Sequence, residues 1–228
     1  MKMHASARKT LTGIGIKRED FSVAFSLSDV PEIEKFVARE EELTEIQRLL
    51  RDDGSRHTVV LHGLGGVGKT QLAIAYAKRH KDNYSAVFWL NIKDEDSLRQ
   101  SFAKAAKQIM RAHPSATQLS SVDVKENLDG VIDSVKEWLS LPNNTRWLMI
   151  YDNYDNPKLP GNTDPAAVNI RKFLPESNQG SVIITTRWSQ VEIGHLIRIR
   201  KLENVLDSVE ILSNTSRREG LIDGKGFY

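Results

Sequence analysis

Eight consecutive residues carry the plainest chemistry in this chain. Gly63-Leu64-Gly65-Gly66-Val67-Gly68-Lys69-Thr70 satisfies G-x-x-x-x-G-K-[ST] at every fixed position. Glycines at such spacing let backbone N–H groups wrap an anion that side chains would otherwise shield. Lys69 is placed to reach the β- and γ-phosphates of a nucleotide. Thr70 can put its hydroxyl on Mg²⁺ at the first turn of the helix that follows, whose positive dipole end faces the anion. The backbone from Gly63 through Gln71 is therefore the expected cradle. A second group is Asp152, at the end of the apolar run "WLMIY", where a carboxylate can hold Mg²⁺ directly or through water. A third is Arg187, at the exit of "SVIITT", where a guanidinium can read a γ-phosphate.

The same glycines, Gly63, Gly65 and Gly68, also fit the dinucleotide fingerprint G-x-G-x-x-G. That fold wants an acid about 20 residues on, at the end of the second strand. Here that strand ends near Leu90-Asn91, and the first acid beyond it is Asp94. Lys69 and Thr70 would also be left without a task. The phosphate cradle is the reading retained.

Positioning these groups requires short buried strands. "TVVL" (58–61), "AVFWL" (86–90), "WLMIY" (147–151) and "SVIITT" (181–186) are continuous apolar runs without polar alternation, as strands covered on both faces read. Helical patterns separate them. Leu98, Phe102, Ala105 and Ile109 share one face near 95–112, and Val124, Leu128, Val131, Val135 and Trp138 share one near 123–140. Asp123 and Glu126 have the spacing of a capping box for the latter. Leu43, Ile46, Leu49 and Leu50 recur helically among Glu40, Glu41, Glu42 and Glu45. Strands joined across such helices need crossovers, so the expected fold is α/β, with a mostly parallel central sheet flanked by helices on both faces.

Composition narrows the rest. The 228 residues are 39% hydrophobic and 27% charged, ordinary for a soluble domain, with a formal net charge of +2. That balance gives no reason to expect nucleic acid, and the basic clusters "KRHK" (78–81) and "RIRK" (198–201) read as solvated element ends. No cysteine is present, which excludes disulfides, thiol nucleophiles and cysteine zinc sites. No apolar run reaches the roughly 18–20 residues of a membrane helix. The basic start lacks an apolar h-region, and Glu19 and Asp20 interrupt a transit-peptide reading of Arg8, Lys9, Lys17 and Arg18. A cytoplasmic location is expected. The four tryptophans, Trp89, Trp138, Trp147 and Trp188, read as core or interface filler.

In order, "FVAREEELTEIQRLL", "VVLHGLGGVGKTQLAIAYAKRH", "YSAVFWLNIKD", "RWLMIYDN" and "GSVIITTRWSQV" resemble the NB-ARC nucleotide-binding module of the STAND class of P-loop NTPases, most of all in fungal NOD-like receptors. The resemblance spans roughly 36–192. It implies a three-layer P-loop NTPase fold in which the 181–186 strand lies between the Asp152 strand and the P-loop strand. It assigns Val37 and Arg39 to the adenine end of the nucleotide, with Ala38 departing from the usual glycine. It implies ADP held at rest, exchange for ATP on activation, and assembly with further copies or related signalling proteins. The expected organisation is an irregular segment (1–30), a linker and helix on the adenine side (31–56), the NTPase core (57–204), and a C-terminal helix with a truncated tail (205–228).

The residue after Asp152 is Asn153, which cannot take a proton as a carboxylate can; Asp155 is the nearest substitute. An ADP/ATP switch with Mg²⁺ and slow or no hydrolysis is therefore expected. The alternatives are an active P-loop ATPase or kinase, a DNA-binding regulator, and an interaction fragment without nucleotide. The family's GLPL and winged-helix regions do not follow the core here, so the site is expected to be open on one side, with faster exchange and exposed apolar surface.

Overall fold

The computed structural model describes residues 20–26, 36, 39–51, 53–120 and 127–202. Along the chain run α1 (Glu40–Leu49), β1 (His57–His62), α2 (Lys69–His80), β2 (Ala86–Asn91), α3 (Glu95–Ala112), α4 (Thr117–Ser120), α5 (Leu128–Leu139), β3 (Trp147–Asp152), β4 (Ser181–Thr186) and β5 (His195–Arg198). The strands form one sheet in the order β2-β3-β4-β1-β5, and every pairing is parallel. β4 lies between the Asp152 strand and the P-loop strand, as the resemblance implies. β1 and β4 pair from His57↔Ser181 to His62↔Thr186, so both strands end at the same level. A parallel sheet of this kind gathers its C-terminal strand ends along one rim, where ligands of open α/β folds sit.

Two apolar layers sandwich the sheet. Val59, Leu61, Leu148, Ile150 and Ile183 face α1 and α2, packing with Leu43, Ile46, Leu72 and Tyr76. Their neighbours Val60, Met149, Tyr151, Val182 and Ile184 face the other way, onto Phe102, Ile109, Val135 and Trp138. This period of two is hidden in the sequence because both faces are apolar. Removing such side chains from water stabilises the fold by about 1.5–3 kcal/mol each.

Helix α3 begins with Asp94, whose side chain accepts from Ser97 N–H at 2.7 Å, and its predicted stripe Leu98, Phe102, Ala105 and Ile109 is buried. Helix α5 is shorter than its predicted 123–140 span. It starts at Leu128, with Asn127 as N-cap accepting from Gly130 N–H. The capping-box pair Asp123 and Glu126, with Val124, lies outside the described residues, as does the C-terminal helix expected over 205–228. Trp138 and Trp147 are buried, whereas Trp188 stands exposed.

β5 was not foreseen. Among the described residues it pairs only with β1, and His195, Leu196 and Arg198 are exposed. An edge strand with one neighbour and wet side chains lacks the long apolar run by which the inner strands are recognised.

Candidate nucleotide site

The site is built where β1, β3 and β4 end. After His62 the chain turns through the loop Gly63–Gly68 into α2. Gly63 N–H donates to Thr186 O at 3.3 Å, which fastens the start of the loop to the end of β4. Gly66 and Gly68 take positive φ of 75° and 96°, and Gly68 serves as N-cap of α2. α2 therefore opens with Lys69, and its first-turn N–H groups point at the loop's concavity. That geometry favours an anion.

Lys69 is buried at 9% exposure, with Nζ donating to Gly63 O at 2.8 Å and Leu64 O at 2.9 Å. Burial lowers its pKa, with Arg187 adding to that effect and the charges of Asp155 and Asp152 opposing it. Thr70 Oγ1 donates to Asp152 Oδ1 at 2.8 Å. The same oxygen accepts from Thr185 Oγ1 at 2.6 Å. Asp152 is 4% exposed, and burial raises its pKa against the opposing hydrogen bonds from Thr185 and Thr70.

Because its folded pKa is raised, ionised Asp152 is a cost to the folded state that sets in as pH rises through that value and is fully present above it. Asn at this position can still accept both hydroxyls. The Asp152→Asn variant without nucleotide is therefore expected to melt higher than the parent at pH 7. Each kcal/mol of relief corresponds to about 2–4 °C. Thermal melts across pH check this, and the gain should fade as pH falls and Asp152 protonates.

Arg187 leaves the end of β4 and lays its guanidinium beside the loop: its carbon is 3.4 Å from where a Cβ on Gly65 would stand. Its Nε pairs with Asp155 Oδ2 at 2.7 Å, and its backbone N–H donates to Asp155 Oδ1 at 2.8 Å. Asn153, at φ 68°, points its backbone N–H to Thr185 Oγ1 at 3.1 Å. On the other side of β3 a cleft of about 520 Å³ runs from Thr70, Asp152 and Asn153 to Asn91 of β2 and Ser97, Gln100 and Ser101 of α3.

The structure thus brings Lys69, Thr70, Asp152 and Arg187 to one rim. Gln71 Oε1 is buried just behind them with no hydrogen-bond partner among the described residues. Val37 lies outside the described residues. Arg39 has φ 69°, and its side chain is 6% exposed. Its guanidinium donates to Val67 O at 2.8 Å, Arg200 O at 2.9 Å and Glu42 Oε1 at 2.9 Å. It ties the phosphate loop to the segment leaving β5. Truncation would remove three hydrogen bonds, leaving the part-buried Val67 carbonyl and Glu42 carboxylate and the exposed Arg200 carbonyl without this donor, a loss of about 2–4 kcal/mol. Arg39→Ala should lower the melting temperature by roughly 4–16 °C, by the same conversion.

Among the described residues no group of three His, Cys, Asp or Glu side chains can hold a metal. The donor set nonetheless fits Mg²⁺ carried by a nucleotide. One buried carboxylate and one hydroxyl stand in contact, and Mg²⁺ habitually takes its other ligands from phosphates and water. Burial of the Asp152 charge makes a compensating cation favourable.

Sequence reasoning missed Thr185 and the part played by Asp155. Thr185-Thr186 closing an otherwise apolar strand is a visible polar signal. The contact of Asp155 with a residue 32 positions away is not.

Comparison with known proteins follows the same lines. A family model for the AAA ATPase domain matches residues 35–184. The chain is 28% identical over 178 residues to a nucleotide-binding leucine-rich repeat (NLR)-like protein of Hyaloscypha variabilis, an alignment covering 73% of this chain and 16% of that protein. It is 26% identical over 189 residues to a putative disease resistance protein of Arabidopsis thaliana, covering 78% of this chain and 15% of that one. The chain thus spans about a sixth of the length of these curated relatives, which are of the kinds its motifs resemble. Among solved structures it is similar to Cdc6p from Pyrobaculum aerophilum, with TM-score 0.50, 16% identity, and coverage of 84% of this chain and 52% of that one. That likeness concerns the fold. No helix among the described residues is long and apolar enough to cross a membrane. By its loop, its sheet order and the match over 35–184, the chain belongs to the AAA ATPase domain family.

Proposed function

We propose that this chain is an adenine-nucleotide switch module that holds ADP or ATP with Mg²⁺ and turns ATP over slowly or not at all. Lys69 and the loop N–H groups bind the phosphates, Thr70 and Asp152 orient the metal, and Arg187 senses the γ-phosphate. Mg²⁺ held there would supply charge neutralisation to the phosphates. Val37 and Arg39 belong to the adenine side, with Arg39 also bracing Val67.

One observation carries the slow-turnover reading. Asp155, the carboxylate that follows Asn153, is engaged by both the backbone and the guanidinium of Arg187. With one oxygen on the backbone N–H and the other on the guanidinium, this carboxylate is not aimed at an attacking water, as a general base must be. Steady-state phosphate release with Mg-ATP tests the reading. Turnover below about one per minute is expected, and several turnovers per second, as in active ATPases of ordinary kcat, would contradict it.

Assembly belongs to the same proposal. Leu64, in the phosphate loop, is 66% exposed and Trp188, next to Arg187, is 42% exposed. Both apolar side chains thus stand beside the proposed nucleotide site, which supports contact with a second copy that depends on the nucleotide bound. Light-scattering masses with ADP and with a non-hydrolysable triphosphate should differ; identical monomer masses would count against it. The curated relatives, an NLR-like and a disease resistance protein, support a signalling role, and a cytoplasmic setting is part of the same proposal.

A further inference from the structure

The loops that follow β3 and β4 are fastened to each other beside the phosphate cradle. Asp155 Oδ1 accepts the backbone N–H of Arg187 at 2.8 Å, and Asp155 Oδ2 pairs with its Nε at 2.7 Å. The carbonyl of Asp155 accepts Trp188 Nε1–H at 2.9 Å. Thr186 Oγ1 donates to Tyr154 O and accepts Trp188 N–H at 3.1 Å. The Arg187 side chain is itself 64% exposed. A long side chain so exposed spreads over many rotamers unless something holds it.

We propose that Asp155 is a positioning residue: by pairing with the Nε edge of Arg187 it holds the guanidinium against Gly65 of the phosphate loop, and so sets how strongly this chain prefers a nucleoside triphosphate to a diphosphate. The proposal rests on the nucleotide reading given above. Asp155 accepts the backbone N–H and forms an ion pair at Nε, which fixes the base and middle of the side chain. Among the described residues the Nη groups have no hydrogen-bond partner, and they would form charge-assisted hydrogen bonds with a phosphoryl group, for which a guanidinium is well shaped. A diphosphate ends short of that point and gains nothing from the arrangement. Because the ion pair is half-exposed, its contribution to fold stability is small. Its effect should therefore appear in nucleotide discrimination rather than in melting temperature.

The test is a double-mutant cycle read by calorimetry in Mg²⁺, with ADP and with adenosine 5′-O-(3-thiotriphosphate) as probes. Asp155→Asn is expected to weaken triphosphate binding roughly 3- to 10-fold while ADP affinity stays within about twofold. Arg187→Gln should weaken the triphosphate by about 10-fold or more. In the Arg187→Gln background, Asp155→Asn should add nothing, since residues acting through one contact are non-additive. Asp155→Ser, which keeps a small acceptor for the backbone N–H, should behave as Asp155→Asn and serves if the latter folds poorly. Equal losses for both probes, or additive losses in the double variant, would overturn the proposal. A parent chain that binds neither probe would overturn the nucleotide reading itself. A parent that binds both, with a ratio indifferent to Asp155, would overturn only the positioning role.

Discussion

Replacing Lys69 by Ala is expected to abolish measurable nucleotide binding, with Kd for both ADP and Mg-ATP rising by at least about 100-fold, or ~2.7 kcal/mol. The size follows from where the ammonium sits. Nζ is held under the loop by the carbonyls of Gly63 and Leu64, and the residue is 9% exposed. Its charge is already ordered and largely out of water, where Coulombic attraction to a phosphate is several-fold stronger than in solvent. Burial disfavours the charged form, and the nearby Asp155 and Asp152 counteract that. An added polyanion shifts the balance further toward the ammonium. Arg should not rescue the loss, because a planar fork cannot occupy a pocket shaped for a compact ammonium. Calorimetric titration of Lys69→Ala, with circular dichroism to show the fold retained, checks this. Unchanged affinity would mean that phosphates do not bind at this loop.

The second large effect concerns Gly63. A Cβ at this position would stand 2.4 Å from the backbone oxygen of Ile199, at a φ of +155° that side chains rarely adopt. The clash cannot be relieved by a rotamer, since the partner is main chain. Ile199 cannot retreat freely either, because its N–H donates to His62 O at 2.8 Å at the end of the β1–β5 pairing. Gly63→Ala should therefore cost roughly 3 kcal/mol or more, lowering the melting temperature by about 6–12 °C, and nucleotide affinity should fall because the loop's first turn is displaced. Gly66→Ala is the control. Gly66 has φ +75° but nothing within 4 Å of the added Cβ. Only the left-handed backbone penalty of about 1–2 kcal/mol applies. Thermal scans of the two variants with and without nucleotide should separate them clearly; equal melting temperatures would refute this account of the loop.

Much of this was legible in the chain itself, for physical reasons. The cradle Gly63–Thr70 is contiguous, and each residue type answers to one job at a phosphate. Asp152 is legible because a carboxylate ending five apolar residues is unusual unless something needs it there. The stripe Leu98, Phe102, Ala105 and Ile109 appears because helix α3 buries one face and wets the other. The remainder depended on contacts that sequence spacing does not reveal. Arg39 reaches Val67 and Arg200, 28 and 161 positions away. β5 is too short and too exposed to leave an apolar run. Asp155 reads as an available carboxylate until the neighbouring strand end delivers Arg187 to it. Parallel topology makes this general: adjacent strand ends belong to distant segments, so the site's partners are spatial neighbours only.

The most direct measurement is to purify the chain without added nucleotide, denature it, and chromatograph what is released. Near-stoichiometric ADP is the expected result, since Lys69, Thr70, Asp152 and Arg187 stand together around the loop, where the proposed phosphate contacts would be made. Protein that comes off empty, and then binds neither ADP nor Mg-ATP, would contradict the switch and leave a P-loop fold serving as an interaction fragment.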